Sequence, residues 1–203
     1  MPFGLGRGLR LEVDPQTTLH TYIGTAEIEI AGHLRRLARP GCACFDVGSN
    51  NGYYALALTR LTGVGAVAFE FAPDGLARIR RNLAHNGALG ERVRLVEAYV
   101  TNVVDPGQRA DTLDHLSTRL ATVPGLLKID VEGAELDVLR GAERLLAQQR
   151  PHVVVETHAP DVEDGCLELL VGHGYRPLVR NQRRWFREGR PNPYNRWLIA
   201  EGR

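Results

Sequence analysis

Short apolar runs alternate with segments of helical spacing along most of the chain, and this alternation restricts the fold more than any other feature. Seven runs have the length and composition of strands, at residues 42–47, 64–71, 93–98, 126–130, 153–156, 175–179 and 197–200. Helical spacing is found at residues 53–61, 73–87, 113–121, 134–149 and 166–171. This order predicts an α/β fold, in which helices cover both faces of a seven-stranded, mostly parallel sheet.

The composition is that of one soluble domain, with 203 residues of which 43% are apolar and 24% are charged. We predict one domain over residues 41–203, preceded by a lid or edge segment over residues 1–40. This segment has a strand candidate at residues 9–13 and a helix candidate at 25–37. The net charge of +1 creates no overall attraction to polyanions, and a single lysine, Lys128, excludes mechanisms that need several lysines.

The cysteines and the N-terminus indicate the compartment. Cys42, Cys44 and Cys166 are odd in number and lack a paired CxxC spacing, which argues against a disulfide framework and against a thiolate zinc site. The N-terminus has no apolar leader, and no run of 18 apolar residues could span a membrane. We therefore expect a cytoplasmic protein that does not engage a membrane, with the mature chain equal to the whole chain.

Carboxylates follow the predicted strands where those strands end. They are Asp46, Glu70, Glu97, Asp130 and Glu156. In parallel sheets ligands bind outside the carboxyl ends of the strands, so these residues predict a polar crevice at that edge.

Residues 46–52, which we call the cofactor loop, follow the first strand and open a helix. Gly48 and Gly52 let backbone amides approach a ligand, although such a turn also occurs for structural reasons alone. Glu70 ends the next strand about 20 residues later, a spacing at which a carboxylate accepts the hydroxyls of a ribose. Asp46 would repel a pyrophosphate, whereas it suits a ligand with an ammonium or sulfonium group. The pattern favours S-adenosylmethionine over a dinucleotide.

Three segments resemble the FkbM-type family of class I S-adenosylmethionine-dependent methyltransferases. They are FDVGSNNGYYAL at 45–56, AFEFAP at 68–73 with RRNLAHNG at 80–87, and LLKIDVEGAELDVLRGAERLL at 126–146 with RPHVVVETH at 150–158. The last is the most specific. The family's glutamate-proline pair has two residues inserted here, between Glu70 and Pro73. The resemblance implies a Rossmann-like fold and transfer of a methyl group from S-adenosyl-L-methionine, with S-adenosyl-L-homocysteine as the product.

The resemblance also implies site residues. The methionine half of the cofactor would be held by the cofactor loop, through Asp46, Gly48, Ser49, Asn50 and Gly52. The ribose would contact Glu70 with Phe71 beside it, and the adenine would lie near Glu97 and Ala98. For Glu97 and Ala98, a position at a strand end without further function explains the sequence equally well.

Methyl transfer to a hydroxyl needs an aligned oxygen and removal of its proton. Strand alternation places Lys128 and Asp130 on one face, and Asp130 is our first candidate for base or substrate-orienting carboxylate. His158 is the second, since an imidazole titrates near neutral pH, and Glu132 and Lys128 are further candidates. Capping of a turn, the helix dipole or charge neutralisation would explain the same residues structurally. Asp130, Glu156 and His158 could also bind a divalent cation, but no ligand motif requires one, and we favour a site without metal.

The resemblance implies a small-molecule acceptor hydroxyl on a sugar, glycoside or polyketide-like compound. The residues disfavour a cysteine nucleophile at the crevice, a lysine-rich RNA methylase tetrad and an amino-methylase Pro-Pro-Tyr motif; Asn192-Pro193-Tyr194 lies too late in the chain and is typical of a turn. The basic segment at 180–190 has interleaved aromatics, which is compatible with RNA, an anionic sugar or a solvated connection. The alternatives to a small-molecule methyltransferase are a non-catalytic adenosine-ligand binding module or assembly partner, and an RNA-directed methyltransferase. The oligomeric state stays open.

Overall fold

The computed structural model describes residues 1–12, 23–183 and 194–202. The strands in these residues are β1 Cys44–Val47, β2 Val67–Glu70, β3 Arg94–Glu97, β4 Tyr99–Val100, β5 Ala110–Asp111, β6 Leu126–Ile129, β7 His152–Thr157, β8 Leu178–Asn181 and β9 Arg196–Ala200. The α-helices are α1 Ile28–Leu37, α2 Tyr53–Thr62, α3 Pro73–His85, α4 Leu113–Arg119, α5 Glu135–Arg140 and α6 Pro160–Gly172. None of these described helices is long and apolar enough to cross a membrane.

Seven strands form one sheet, in the order β3-β2-β1-β6-β7-β9-β8. The strand β9 runs antiparallel to β7 and β8, and the other pairings are parallel. The predicted seven-stranded, mostly parallel sheet is confirmed. Chain order reverses between β1 and β6, so their carboxyl ends open the crevice in which open α/β sheets bind ligands. The short strands β4 and β5, which the sequence did not predict, pair in parallel as a second sheet.

The main sheet separates two apolar layers, as its alternating side chains require. Phe45, Phe69 and Leu127 point to one face and pack with buried residues of α4, α5 and α6. Cys44, Ala68 and Leu126 point to the opposite face and pack with α1 and α2.

The N-terminal residues 1–12 belong to the layer of α1 and α2, because Leu5 and Leu9 are buried there. The predicted strand at residues 9–13 is wrong over residues 9–12, and Val13 lies outside the described residues. The reason is that backbone amides of this stretch donate to side chains of α3 and its C-cap rather than to a strand. Arg10 donates to Asn86 Oδ1 at 3.1 Å and Glu12 to Asn82 Oδ1 at 2.7 Å.

The long helix predicted at residues 134–149 is interrupted. The helix α5 ends at Arg140, and a separate π-helical turn spans Leu145–Gln149. A Cβ at Gly141 would overlap the carbonyl oxygen of Thr101, which shows how closely this break packs on the neighbouring chain. The carboxylate of Asp114 then accepts hydrogen bonds from the amides of Arg144 and Leu145, where the second segment starts. Periodicity does not reveal such long-range capping.

Candidate active site

A cavity of about 820 Å³ lies at the carboxyl ends of the central strands. Seven of the residues predicted for the site line it, namely Gly48, Asn50, Glu70, Phe71, Ala98, Asp130 and Glu132. Six other predicted residues are not part of the lining formed by the described residues, namely Asp46, Ser49, Gly52, Glu97, Lys128 and His158. The volume falls within the range of ordinary small-molecule sites, about 300–1,000 Å³.

The cofactor loop rests directly on the end of β6. Gly48 has a φ of 78°, and a Cβ there would overlap the carbonyl oxygen of Asp130. The amides of Gly48 and Ser49 both donate to the carbonyl of Phe69 at 3.0 Å. Glycine at position 48 therefore allows the loop to bring β1, β2 and β6 together at the crevice.

Asp46 holds the loop from beneath. Its buried Oδ2 accepts hydrogen bonds from Ser49 Oγ at 2.8 Å and from the amide of Ala55, near the start of α2, at 3.0 Å. Burial raises the pKa of Asp46 to about 6, against the opposing effect of the Lys128 ammonium. Gly52, with a φ of 79°, precedes α2. These contacts give Asp46, Ser49 and Gly52 a role in shaping the loop.

Glu70 is anchored by backbone amides. Its Oε2 accepts a hydrogen bond from Asn50 at 2.9 Å, and Oε1 accepts from Phe71 and Ala72 at 2.9 and 2.8 Å. A Cβ at Gly75 would lie 2.8 Å from the carboxyl carbon. Glu70 is therefore buried, with 8% of its surface exposed, although it lines the cavity. A carboxylate has about four acceptor positions, so these three bonds leave room for one more.

The neighbouring wall offers two aromatic rings. Phe71 and Tyr99 line the cavity and meet edge to face, with ring centroids 5.1 Å apart. Ala98 lies between the two chain segments and donates its amide to the carbonyl of Glu70 at 3.0 Å. Glu97 instead pairs with Arg109 away from this wall. Sequence reasoning missed Tyr99, although it follows the predicted third strand directly.

Asp130 marks the other end of the cavity, and its side chain is 28% exposed. Its Oδ2 lies 3.2 Å from Lys128 Nζ, and its Oδ1 lies 3.6 Å from His158 Nε2. Lys128 is buried and sits 4.7 Å from the ring centroid of Tyr54. Burial lowers the pKa of Lys128, but nearby carboxylates, Asp130 first, outweigh it and raise that pKa overall. The buried ammonium of Lys128 therefore forms an ion pair that holds the Asp130 carboxylate in place.

His158 is held by a buried carboxylate that sequence reasoning did not select. Its Nδ1 lies 2.5 Å from Glu135 Oε1, which also accepts the amide of Gly133 at 3.0 Å. Burial lowers the pKa of His158, but the hydrogen bond to Glu135 and the Asp130 charge raise it overall. Glu135 is fully buried and shares a helix face with Leu139, a helical spacing that could have distinguished it from the exposed Glu132.

Glu156 and Glu132 take different positions. Glu156 is buried, and it accepts hydrogen bonds from Asn195 Nδ2 and, at 3.1 Å, from Trp197 Nε1. Glu132 has a φ of 51° in the turn after β6 and lines the cavity rim. The structure describes only part of the basic segment at 180–190, namely residues 180–183. In this part, the guanidinium of Arg183 forms an ion pair with the carboxylate of Glu29 at 3.0 Å. Residues 184–190 and the Asn192-Pro193 pair lie outside the described residues.

Part of the chain is similar to known methyltransferases. Residues 102–188 match the model of the methyltransferase FkbM domain. The chain is also 35% identical, over 113 residues, to the 31-O-demethyl-FK506 methyltransferase FkbM of Streptomyces tacrolimicus. Both matches support the FkbM-type methyltransferase family for the matched part of the chain. The match with the Streptomyces protein covers 52% of this chain and 43% of that relative, so the chain spans less than half of its length.

Solved structures agree on the fold. The FkbM methyltransferase of Methylobacillus flagellatus superposes with a TM-score of 0.64 at 16% identity, covering 94% of this chain and 56% of that one. An S-adenosylmethionine-dependent O-methyltransferase of Thermotoga maritima gives a TM-score of 0.62 at 16% identity, covering 95% and 67%. The chain therefore has the Rossmann-like class I methyltransferase fold that its motifs implied.

Proposed function

We propose that this FkbM-type domain transfers a methyl group from S-adenosyl-L-methionine to a hydroxyl of a small molecule such as a sugar, glycoside or polyketide-like compound. One observation carries the proposal: a single cavity joins the cofactor loop to Asp130 at the point where strand order reverses. A methyl donor on the loop and an acceptor at Asp130 would therefore meet in one chamber.

The residues present fit S-adenosylmethionine. Gly48 and Asn50 of the cofactor loop line the cavity, and Glu70 has an acceptor position left for a ribose hydroxyl. The exposed rings of Phe71 and Tyr99 offer an apolar surface for a base. When bound, the cofactor would supply a methyl group already activated on a sulfonium. The negative charge of Asp46, although buried below the loop, favours such a cation.

The acceptor end has a carboxylate with a fixed orientation. An acceptor hydroxyl that donates to Asp130 would point its oxygen along the cavity, and such alignment can contribute about 7–11 kcal/mol to a transfer reaction. The cofactor would supply the methyl group by breaking its carbon–sulfur bond and leaving as S-adenosyl-L-homocysteine, and the Asp130 carboxylate would accept the hydroxyl proton of the acceptor. Lys128 and His158 hold this carboxylate from two sides.

Ligand binding and turnover test the proposal. S-adenosylhomocysteine at 100 times its dissociation constant should stabilise the fold by about 2.7 kcal/mol, and NAD should not. Acceptor panels of sugars, glycosides and macrolides should then yield S-adenosylhomocysteine. Binding without turnover on any acceptor would indicate a non-catalytic binding module, and a response to NAD alone would overturn the proposal.

Asp130→Asn separates catalysis from structure. The variant should melt lower, because buried Lys128 loses the charge of Asp130, but it should still fold and keep its affinity for S-adenosylhomocysteine. Its transfer rate per folded molecule should fall by about 10²- to 10⁴-fold, the usual contribution of a positioned general base. Asp137→Asn is the matched control, because Asp137 also lines the cavity but pairs with Arg140. A fully active Asp130→Asn would remove Asp130 from the reaction.

A further inference from the structure

Two arginines flank one histidine on the surface formed by α1 and β8. Arg180 on β8 directs its Nε at His33 Nε2 on α1, at 3.3 Å. A terminal nitrogen of Arg36, one turn further along α1, lies 3.5 Å from His33 Nδ1. All three residues are described, and none of them lines the cavity. We propose that His33, Arg36 and Arg180 bind the phosphate group of a phosphomonoester at this second site.

The contacts of His33 leave hydrogen-bond donors facing each other. A neutral imidazole has one donor and one acceptor nitrogen, whereas a guanidinium has donors only. His33 can therefore accept a hydrogen bond from one of its two arginines, and at the other contact two N–H groups meet. Protonation of the ring would make both contacts unfavourable. An anion with several acceptor oxygens would give each of these donors a partner.

The charges around His33 are mostly positive. Burial lowers the pKa of His33, and the Arg180 and Arg36 guanidiniums lower it further, against the smaller opposing effect of Glu201. The pKa of His152 is also lowered, by burial first and then by a neighbouring arginine, and Arg36 and Glu201 act on this ring too. This part of the surface is therefore more positive than the net charge of +1 suggests.

A phosphomonoester matches the three groups in charge and in number of acceptors. It carries a charge of about −1.5 to −2 at pH 7 and three strong acceptor oxygens, and arginine often binds phosphate through two parallel hydrogen bonds. The terminal nitrogens of Arg180 have no hydrogen-bond partner in the described part of the chain, so both can donate to a phosphate. A compact cluster at one ring suits a single terminal phosphate better than a nucleic acid strand, whose backbone follows a longer basic groove.

Glu201 competes with a phosphate for Arg36. Its Oε1 pairs with the Arg36 guanidinium at 2.7 Å, and both side chains are 52% exposed. Ion pairs between exposed side chains contribute little to stability, so a phosphate can replace the carboxylate at Arg36. Removing the charge of Glu201 should therefore strengthen phosphate binding, whereas it would weaken a structure that depended on the ion pair.

The test titrates the whole chain by calorimetry with ribose 5-phosphate and with inorganic phosphate, at constant ionic strength. Both should bind at one saturable site, and ribose should give no such signal. Arg180→Gln and Arg36→Gln should each weaken binding at least tenfold, as expected for hydrogen bonds to a charged group. Arg35→Gln is the matched control, because it removes the same charge from α1 but acts on Tyr53 rather than on His33.

Two further measurements separate binding from a structural role. Glu201→Gln should bind ribose 5-phosphate severalfold more tightly than the wild type. Nuclear magnetic resonance should show that ribose 5-phosphate raises the pKa of His33, because a bound dianion favours the protonated ring. The His33 signal is assigned from its loss in His33→Gln.

The substituted arginines and Glu201 are exposed, so these variants should fold, which circular dichroism checks. The inference would be overturned if the folded wild type gave no saturable phosphate binding, or if Arg180→Gln bound like Arg35→Gln. Much tighter binding of a single-stranded RNA than of ribose 5-phosphate would also overturn it, by assigning the surface to nucleic acid. No methyl donor or acceptor is present in these experiments, so their outcome is independent of the proposed function.

Discussion

At the scale of single residues, two carboxylates at neighbouring strand ends accept hydrogen bonds from the backbone of the site. Asp46 accepts from the start of α2, and Glu70 accepts from the cofactor loop and from the entry to α3. Both are buried. Replacing either carboxylate should therefore change both the shape of the cavity and the stability of the fold.

Glu70→Gln should lower stability and ligand affinity together. The amide NH₂ would face at least one backbone donor, and a buried unsatisfied group costs about 1–3 kcal/mol. For about 200 residues this corresponds to several degrees in melting temperature. Affinity for S-adenosylhomocysteine should fall by about 10–150-fold. Thermal unfolding and calorimetry measure the two effects.

The control for Glu70 is Glu97→Gln. Glu97 also ends a strand but is exposed and paired with Arg109, so its replacement should change stability by no more than about 0.5 kcal/mol. If Glu70→Gln behaved like Glu97→Gln, the anchoring role of Glu70 would be refuted.

The raised pKa of Asp46 predicts a pH-dependent stability. A folded-state pKa of about 6, above the ordinary 3.8, means that the folded chain keeps a proton which the unfolded chain releases. The free energy of unfolding should therefore fall as pH rises between these values, by up to about 3 kcal/mol, and level off above them. Asp46→Asn should lack this contribution. Chemical denaturation of both proteins from pH 4.5 to 7.5 measures it, and a difference that is constant with pH would contradict the assignment.

At the scale of elements, the cofactor loop connects to β1 and packs against the ends of β2 and β6. Gly48 packs on the end of β6, and its neighbouring amides bond to the end of β2. The start of α2 is then positioned by Asp46 from the same loop. The loop, β1 and α2 therefore form one rigid unit facing the cavity.

Gly48→Ala should disrupt this unit. The added Cβ overlaps the carbonyl of Asp130, and the positive φ adds a penalty of about 1 kcal/mol. We expect a loss of several kcal/mol in unfolding free energy, measured by denaturation. Gly63→Ala is the matched control, because Gly63 has a φ of 73° but open space around its Cβ position, and it should show only the φ penalty. Equal effects of the two substitutions would show that the close approach is unimportant.

At the scale of the whole molecule, the sheet is completed by the last described strand. The antiparallel β9 lies between β7 and β8 and buries Trp197, whose ring nitrogen donates to Glu156. The strand β9 thus completes the sheet and also fixes the carboxylate of Glu156.

Truncation after Tyr194 should abolish the native fold. Removing β9 takes away four buried apolar side chains and exposes the valines of β7, a loss comparable to the 5–15 kcal/mol that stabilises a typical domain. Truncation after Ala200 is the control, since it keeps β9 and, among the described contacts, removes the exposed ion pair of Glu201 with Arg36 and the hydrogen bond from the Gly202 amide to His152 Nδ1. Circular dichroism and hydrogen exchange would report the result, and a cooperatively folded chain ending at Tyr194 would contradict it.

Most helices and strands could be predicted from the sequence, because the spacing of apolar residues along the chain differs between the two. The start of α3 at Pro73 and its end before Asn86 follow from turn chemistry in the sequence. The prediction of one helix over residues 134–149 was wrong because groups far away in sequence interrupt it. Gly141 packs against Thr101, and Asp114 caps the segment that follows.

The sequence by itself determined the α/β order, the seven strands and the edge at which carboxylates collect, because these depend on periodicity and chain direction. Only the tertiary structure decided what each carboxylate does. Asp46 and Asp130 both follow apolar runs, yet one is buried beneath the loop and the other lines the cavity. The contact of His158 with Glu135 joins positions 23 residues apart on different elements. Side-chain partners of this kind depend on how strands and helices pack, and no local spacing encodes them.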